Sequence, residues 1–227
     1  MINRLQSLPT DPRADDKDYS PGERIANIMT HGTGAVLSIV GLAVLISFAA
    51  QRGVRPVVAL AIYGSCLVLL YLASTGYHWA KQGRAKNVLK VCDHSAIYLA
   101  IAGTYTPFAM LVLGGGLGWA LLATIWALAI LGVLFKILLL GRFEALSIAS
   151  YLLLGWVGAA VAGPITSTLA PAGIVWLVVG GLVYSGGVAF YRWERLPYNH
   201  AIWHLFVLGG SACHFVSILC YVLPASA

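Results

Sequence analysis

The chain has 227 residues, of which 59% are hydrophobic and 10% charged, and it carries a formal net charge of +6. A soluble domain is roughly 25% charged, so this composition excludes a soluble enzyme, a disordered region and a fibrous repeat, and it indicates an integral membrane protein. The excess of base does not indicate nucleic acid, because no basic stripe interleaved with aromatic residues accompanies it.

Residues 1–22 are polar and contain Pro9, Pro12 and Pro21, and the first 23 residues hold five of the eight acids. This segment lacks the apolar core and small-residue cleavage site of a secretory signal and reads as a polar cytoplasmic tail. Residues 23–227 read as one transmembrane domain. Apolar runs near the 20 residues needed to cross a bilayer recur at 25–50, 57–80, 91–113, 118–140, 145–163, 172–191 and 199–223. The expected fold is therefore all-α, a bundle of seven transmembrane helices.

Turn and charge residues mark the breaks: Gln51 to Pro56, Lys81 to Lys90, Gly114-Gly115-Gly116, the short junction at Gly141-Arg142, Pro164 to Pro171, and Arg192 to Pro197. A six-helix alternative needs residues 118–163 as one helix, which far exceeds the thickness of a bilayer. Orientation follows from the short-loop bases. With the N-terminus inside, twelve of the fourteen Lys and Arg lie inside, Lys136 and Arg142 among them, and only Arg52 and Arg55 lie outside. This places the N-terminus in the cytoplasm and the C-terminus outside, in a multi-pass protein of the inner (plasma) membrane. Cys66, Cys92, Cys213 and Cys220 fall in or at the edges of spans without CxxC spacing, as packing residues do.

All six histidines lie in predicted spans. In the orientation derived above, His31, His78, His94, His200 and His204 reach a similar depth near the inner side, together with Asp93. Ionisable groups in a bilayer cost roughly 2.5–3.5 kcal/mol each, so such a cluster marks a functional site by default. His200 and His204 are spaced i, i+4 and share one helix face. His78 supplies a third imidazole from the second span, with Ser74 one turn away on the same face. Three nitrogen ligands suit Zn²⁺, one ion per chain, and three protein ligands plus water is the catalytic pattern. Asp93 is placed to hold a ligand or the metal's water. The competing account is a network of interhelical histidine hydrogen bonds.

Glu23, Asn27 and His31 form an i, i+4, i+8 stripe with Thr30 beside it. Two accounts of the stripe are open: a helix start with an acid favourable to the dipole, or a wall or outer shell of the polar cluster. His94 points about 100° away from Asp93 and fits packing. His214 lies about 15 Å deeper than His204 and fits a hydrogen-bonded core position.

Glu23-x3-Asn27-x2-Thr30-His31, Ser74-x3-His78, Asp93 followed by Gly103-Thr104-Tyr105-Thr106-Pro107, and His200-x3-His204 together resemble the hemolysin III family. That family is the bacterial branch of the progestin and adipoQ receptors. The resemblance covers residues 20–223 and all seven spans. It implies a cytoplasmic N-terminus and, by similarity to the adiponectin receptors, a zinc ion held by His78, His200 and His204. Asp93 then matches the aspartate near the zinc's water and Ser74 the serine of the same motif. Alkaline ceramidases share a similar constellation, and bacterial members are associated with membrane-energy and lipid homeostasis.

The expected function is a zinc-dependent hydrolase of lipid amides or esters, with Asp93 and Ser74 catalytic and membrane lipids as partners and substrates. The alternatives are a membrane sensor or receptor-like protein with structural zinc, and a pore-forming cytolysin. No amphipathic pore-forming segment supports the last.

Overall fold

The structure, a computed structural model, describes residues 19–139 and 143–225. The acidic tail ahead of Tyr19 and the junction at Gly141-Arg142 lie outside these residues. Among the described residues the chain is helical without strands. Seven helices are long and apolar enough to cross a membrane: α1 Pro21–Arg52, α2 Val54–Trp79, α3 Arg84–Leu113, α4 Gly115–Leu139, α5 Glu144–Thr168, α6 Pro171–Arg192 and α7 Asn199–Ala225. Each matches a predicted span to within a few residues at most boundaries. Phe143, with a left-handed backbone at φ 58°, breaks the helix just ahead of α5 and disposes of the six-helix alternative.

Local chemistry accounts for the boundaries. At the start of α1 the Ser20 hydroxyl accepts the Glu23 N–H at 3.3 Å, and the Glu23 carboxylate accepts the Ser20 N–H at 3.0 Å. This reciprocal cap has Pro21 in the first turn, where a missing N–H costs nothing. Between α3 and α4, Gly114 and Gly115 turn the chain at φ 58° and 50°, a region that a side chain would strain. Pro107 lacks the N–H that the α3 ladder needs, and the turn after it, Phe108–Leu113, widens to a π-helix whose Gly114 N–H reaches Ala109 O at 3.0 Å.

Helix α1 packs along α2, α2 along α3, α3 along α4 and α6 along α7, and α7 returns onto α1. Helices α2 and α3 are the most enclosed spans and α5 the least. The larger core joins Leu60, Tyr63, Leu67 and Tyr71 of α2 to Phe108 of α3 and Ile218 of α7, and a smaller one joins Tyr98 of α3 to Ile125 of α4 and Leu154 of α5. Exposed side chains such as Val40, Leu69, Leu131, Leu153 and Leu182 face outward, as a hydrocarbon surrounding requires. The four cysteines are free.

One expectation from the charge count needs correction. Lys136 was counted among the loop bases, but it lies within α4 and is only 4% exposed. The positive-inside bias rests on the remaining bases.

Candidate metal centre

His78 sits in the last turn of α2, and His200 and His204 sit in the first two turns of α7. One ring nitrogen from each lies within 4.8 Å of the others. The ring centroids are 4.8 Å apart for His78 and His200, 5.1 Å for His78 and His204, and 4.5 Å for His200 and His204. Ligands of a tetrahedral zinc at about 2.0–2.1 Å stand about 3.4 Å apart, a spacing within reach of small rotations of these rings. The three side chains can hold a metal ion.

Two neighbours position these histidines. Arg24 of α1 donates to the His78 carbonyl at 3.0 Å, and to the carbonyls of Trp79 at 2.5 Å and Ala80 at 3.2 Å. It thereby caps the C-terminus of α2, where a cation complements the helix dipole, and locates the turn that carries His78. Thr30 fixes His204. Its oxygen lies 3.0 Å from His204 Nδ1, and when its single hydroxyl proton goes to Ala26 O at 2.8 Å or Asn27 O at 3.0 Å that oxygen accepts the Nδ1–H. His204 is then the tautomer whose Nε2 lone pair is available for a metal. Thr30→Val is expected to lower zinc affinity about 10–100-fold and Thr30→Ser to restore it, as measured by competition with a chelating dye.

The donor set itself fits a metal. His78 Nε2, Ser74 Oγ and both ring nitrogens of His31 are buried without a hydrogen-bond partner among the described residues. Polar atoms so enclosed are costly unless something binds them. Neighbouring Thr75 returns its hydroxyl to Tyr71 O at 2.7 Å, whereas Ser74 keeps its proton for the cavity it lines.

The stripe on α1 divides between its two expected roles. Glu23 caps α1 and also accepts the Tyr198 N–H at 3.0 Å, which ties α1 to the residue that opens α7. Tyr198 holds a left-handed backbone, φ 58°, uncommon for an aromatic residue. Glu23→Ala removes both the cap and this tie, and it is expected to destabilise the fold by about 1–2 kcal/mol in thermal or denaturant unfolding. Asn27 is fully buried, with both amide atoms unpartnered among the described residues. His31 stacks on His204 with centroids 3.4 Å apart and meets Tyr71 edge-on at 5.2 Å. It forms a wall of the cluster and lies outside the triad.

Asp93 lines a cavity of about 180 Å³ together with Ser74, His31, His200 and His204. A single water needs roughly 10–15 Å³ on the same measure, and about 150 Å³ of apolar cavity admits benzene, so this space admits a stretch of acyl chain. Ile97, Ile101, Leu152, Val188 and Val207 supply its apolar walls. His94 donates its Nδ1–H to Lys90 O at 2.9 Å and also borders the cavity. His214, ten residues beyond His204 on α7, donates to Leu177 O at 3.1 Å, a hydrogen-bonded core position that also borders the cavity. Near it, the hydroxyls of Tyr71 and Tyr184 both meet Ser211 Oγ at 2.7 Å, joining α2, α6 and α7.

Comparison with known proteins decides the family. The sequence profile described as "Haemolysin-III related" matches residues 21–215. The chain belongs to this family. It is 49% identical over 205 residues to Hemolysin-3 of Bacillus cereus, covering 90% of this chain and 94% of that protein. It is 47% identical over 200 residues to the Hemolysin-3 homolog of Bacillus subtilis (strain 168), covering 88% and 94%. The human monocyte to macrophage differentiation factor is 31% identical over 228 residues, 97% of this chain and 94% of that protein. As a haemolysin-III-related protein with seven membrane-capable helices, the chain is a multi-pass membrane protein.

In the sequence Thr30 stands beside the α1 stripe, and Arg24 and Lys136 read as topological charges; the contacts of Thr30 with His204 and of Arg24 with His78 have no local signal. The signal for Lys136 was its setting, a lone base between Phe135 and Ile137 with apolar residues continuing to Leu140.

Proposed function

We propose that this haemolysin-III-related protein is a zinc-dependent hydrolase of lipid amides or esters, serving membrane lipid homeostasis from the cytoplasmic side of the inner membrane. The observation that carries the proposal is the joint lining of one apolar cavity by Asp93, Ser74 and two of the three metal-capable histidines, His200 and His204. A site with three protein ligands leaves a coordination position open for chemistry.

Zinc, when bound by His78, His200 and His204, supplies a Lewis acid that polarises an acyl carbonyl and brings the pKa of water toward about 7. The chain's own residues carry the rest. A carboxylate oxygen of Asp93 takes the proton from the attacking water as its oxygen bonds to the acyl carbon. Ser74 Oγ–H donates to the oxyanion that develops on the former carbonyl oxygen. The acyl–nitrogen or acyl–oxygen bond then breaks, and Asp93 returns the proton to the departing amine or alcohol, leaving a fatty acid. Isoleucine, leucine and valine walls hold the acyl chain and keep bulk water from the site.

The test is fatty-acid release from a panel of lipid amides and esters by the purified, zinc-loaded protein, read by mass spectrometry with and without chelator. Chelator-sensitive release is expected. Zinc-loaded protein that releases no fatty acid from any lipid would overturn the hydrolase and favour a sensor with structural zinc.

A further inference from the structure

A second pocket, of about 160 Å³, lies where the chain turns from α2 to α3, on the side of the bundle that the charge count assigns to the cytoplasm. Arg24 of α1, His78 of α2, Gln82 of the turn and Lys86 of α3 border it, and among the described residues no carboxylate does. His78 belongs both to this pocket and to the metal triad, whereas His200 and His204 border the apolar cavity. The two spaces therefore meet the triad through different imidazoles. Bases in a short loop need only be solvated to set topology. Here two of them, Arg24 and Lys86, are half-buried around a space that a single water, at roughly 10–15 Å³, does not fill.

We propose that this pocket binds a phosphate group, borne by a lipid headgroup or free in the cytoplasm. Arg24 and Lys86 supply the donors. Arg24 spends Nε–H and both hydrogens of Nη2 on the carbonyls that end α2, which leaves the two hydrogens of Nη1 without a partner among the described residues. The ammonium of Lys86 rests over the face of Tyr77, 5.7 Å from the ring centre, and keeps its three N–H donors, since a ring face accepts none of them as a carboxylate does. Lys86 also stands in the first turn of α3, which holds no acid and has no side-chain cap, so the positive end of that helix adds to the attraction. Two full positive charges and five side-chain N–H groups, with no carboxylate between them, match a dianion with several acceptor oxygens. A monovalent carboxylate leaves part of this set unmet. The assignment goes beyond the hydrolytic reading and needs no turnover at the metal centre.

The test measures binding to the full chain in a non-ionic detergent. Inorganic phosphate is titrated by equilibrium dialysis with a radiolabel, and lysophosphatidate is compared with monooleoylglycerol by native mass spectrometry. The wild type is expected to bind inorganic phosphate saturably, or to prefer lysophosphatidate over its neutral counterpart about tenfold or more. The first result identifies a free anion, and the second without the first identifies a lipid headgroup. Lys86→Gln is expected to weaken that binding about tenfold at unchanged zinc content, and Lys86→Arg to retain it. Lys81 is an exposed base of the same loop outside the pocket, and Lys81→Gln is expected to leave binding unchanged. His200→Ala removes an imidazole of the triad that does not border this pocket, and it is expected to lose zinc yet bind the probe. A wild type that binds neither probe overturns the assignment without recourse to a variant, as does binding that survives in Lys86→Gln. Equal losses in Lys81→Gln and Lys86→Gln overturn it in favour of the loop's general positive field, and binding lost together with zinc in His200→Ala overturns it in favour of an anion on the metal. Failure of the hydrolase is read separately: a protein that cleaves no lipid yet shows Lys86-dependent binding refutes catalysis and keeps the pocket.

Discussion

Asp93→Asn is expected to keep its metal at wild-type stoichiometry and to lose lipid turnover by about 10²–10⁴-fold, the range that a positioned general base contributes. The amide preserves the shape of the side chain and its place in the cavity beside Ser74, His200 and His204, but it cannot take a proton from water at neutral pH. Metal content by elemental analysis and kcat on the best substrate of the lipid panel check the two halves separately. A variant that retains zinc and hydrolyses at the wild-type rate would remove Asp93 from the proposed chemistry. A variant that loses zinc would show that the carboxylate holds the metal instead of moving a proton.

His204→Ala is expected to have the larger structural effect. This side chain is 1% exposed, and it joins three contacts in one place: the triad spacing, the 3.4 Å stack on His31 and the hydrogen bond from Nδ1 to Thr30. Truncation removes one of the three metal-capable imidazoles, opens a cavity and breaks the contact with Thr30. The expected result is loss of bound zinc and a fall of about 5–10 °C in the thermal midpoint, the size that a core truncation of about 2–3 kcal/mol has in a chain of this length. His214→Ala provides the control. His214 lies about 15 Å farther along the helix and bonds Leu177 O, so its loss is expected to leave zinc content unchanged. Zinc retained by His204→Ala would break the triad, whatever happens to stability.

Much of this architecture follows from local pattern. A bilayer demands long apolar helices, so the runs between charged or glycine-rich breaks reproduce α1 to α7 closely. The i, i+4 spacing of His200 and His204 places both on one face wherever α7 packs, and a right-handed helix enforces that directly. The contacts that turn three histidines into a site are not local. Thr30 reaches His204 across 174 positions and Arg24 reaches His78 across 54, and only the packing of α1 against α2 and α7 brings them together. The two roles of the Glu23 stripe could not be separated in sequence for the same reason, since Glu23 serves both its own helix and Tyr198. Lys136 misled because a base near a span end reads as topology, and its burial depends on the placement of α5. The departures from regular helix after Pro107 and at Val157–Val161 lie inside runs whose hydrophobicity is unbroken, and hydrophobic pattern carries no sign of them.

The central claim is that His78, His200 and His204 hold one catalytic zinc ion per chain. Elemental analysis of the wild-type protein, purified in detergent without chelator, tests it most directly. The account predicts about one zinc per chain. Wild-type protein with no bound metal, which takes up none when zinc is added back, would contradict it and leave the buried histidines as an interhelical hydrogen-bond network.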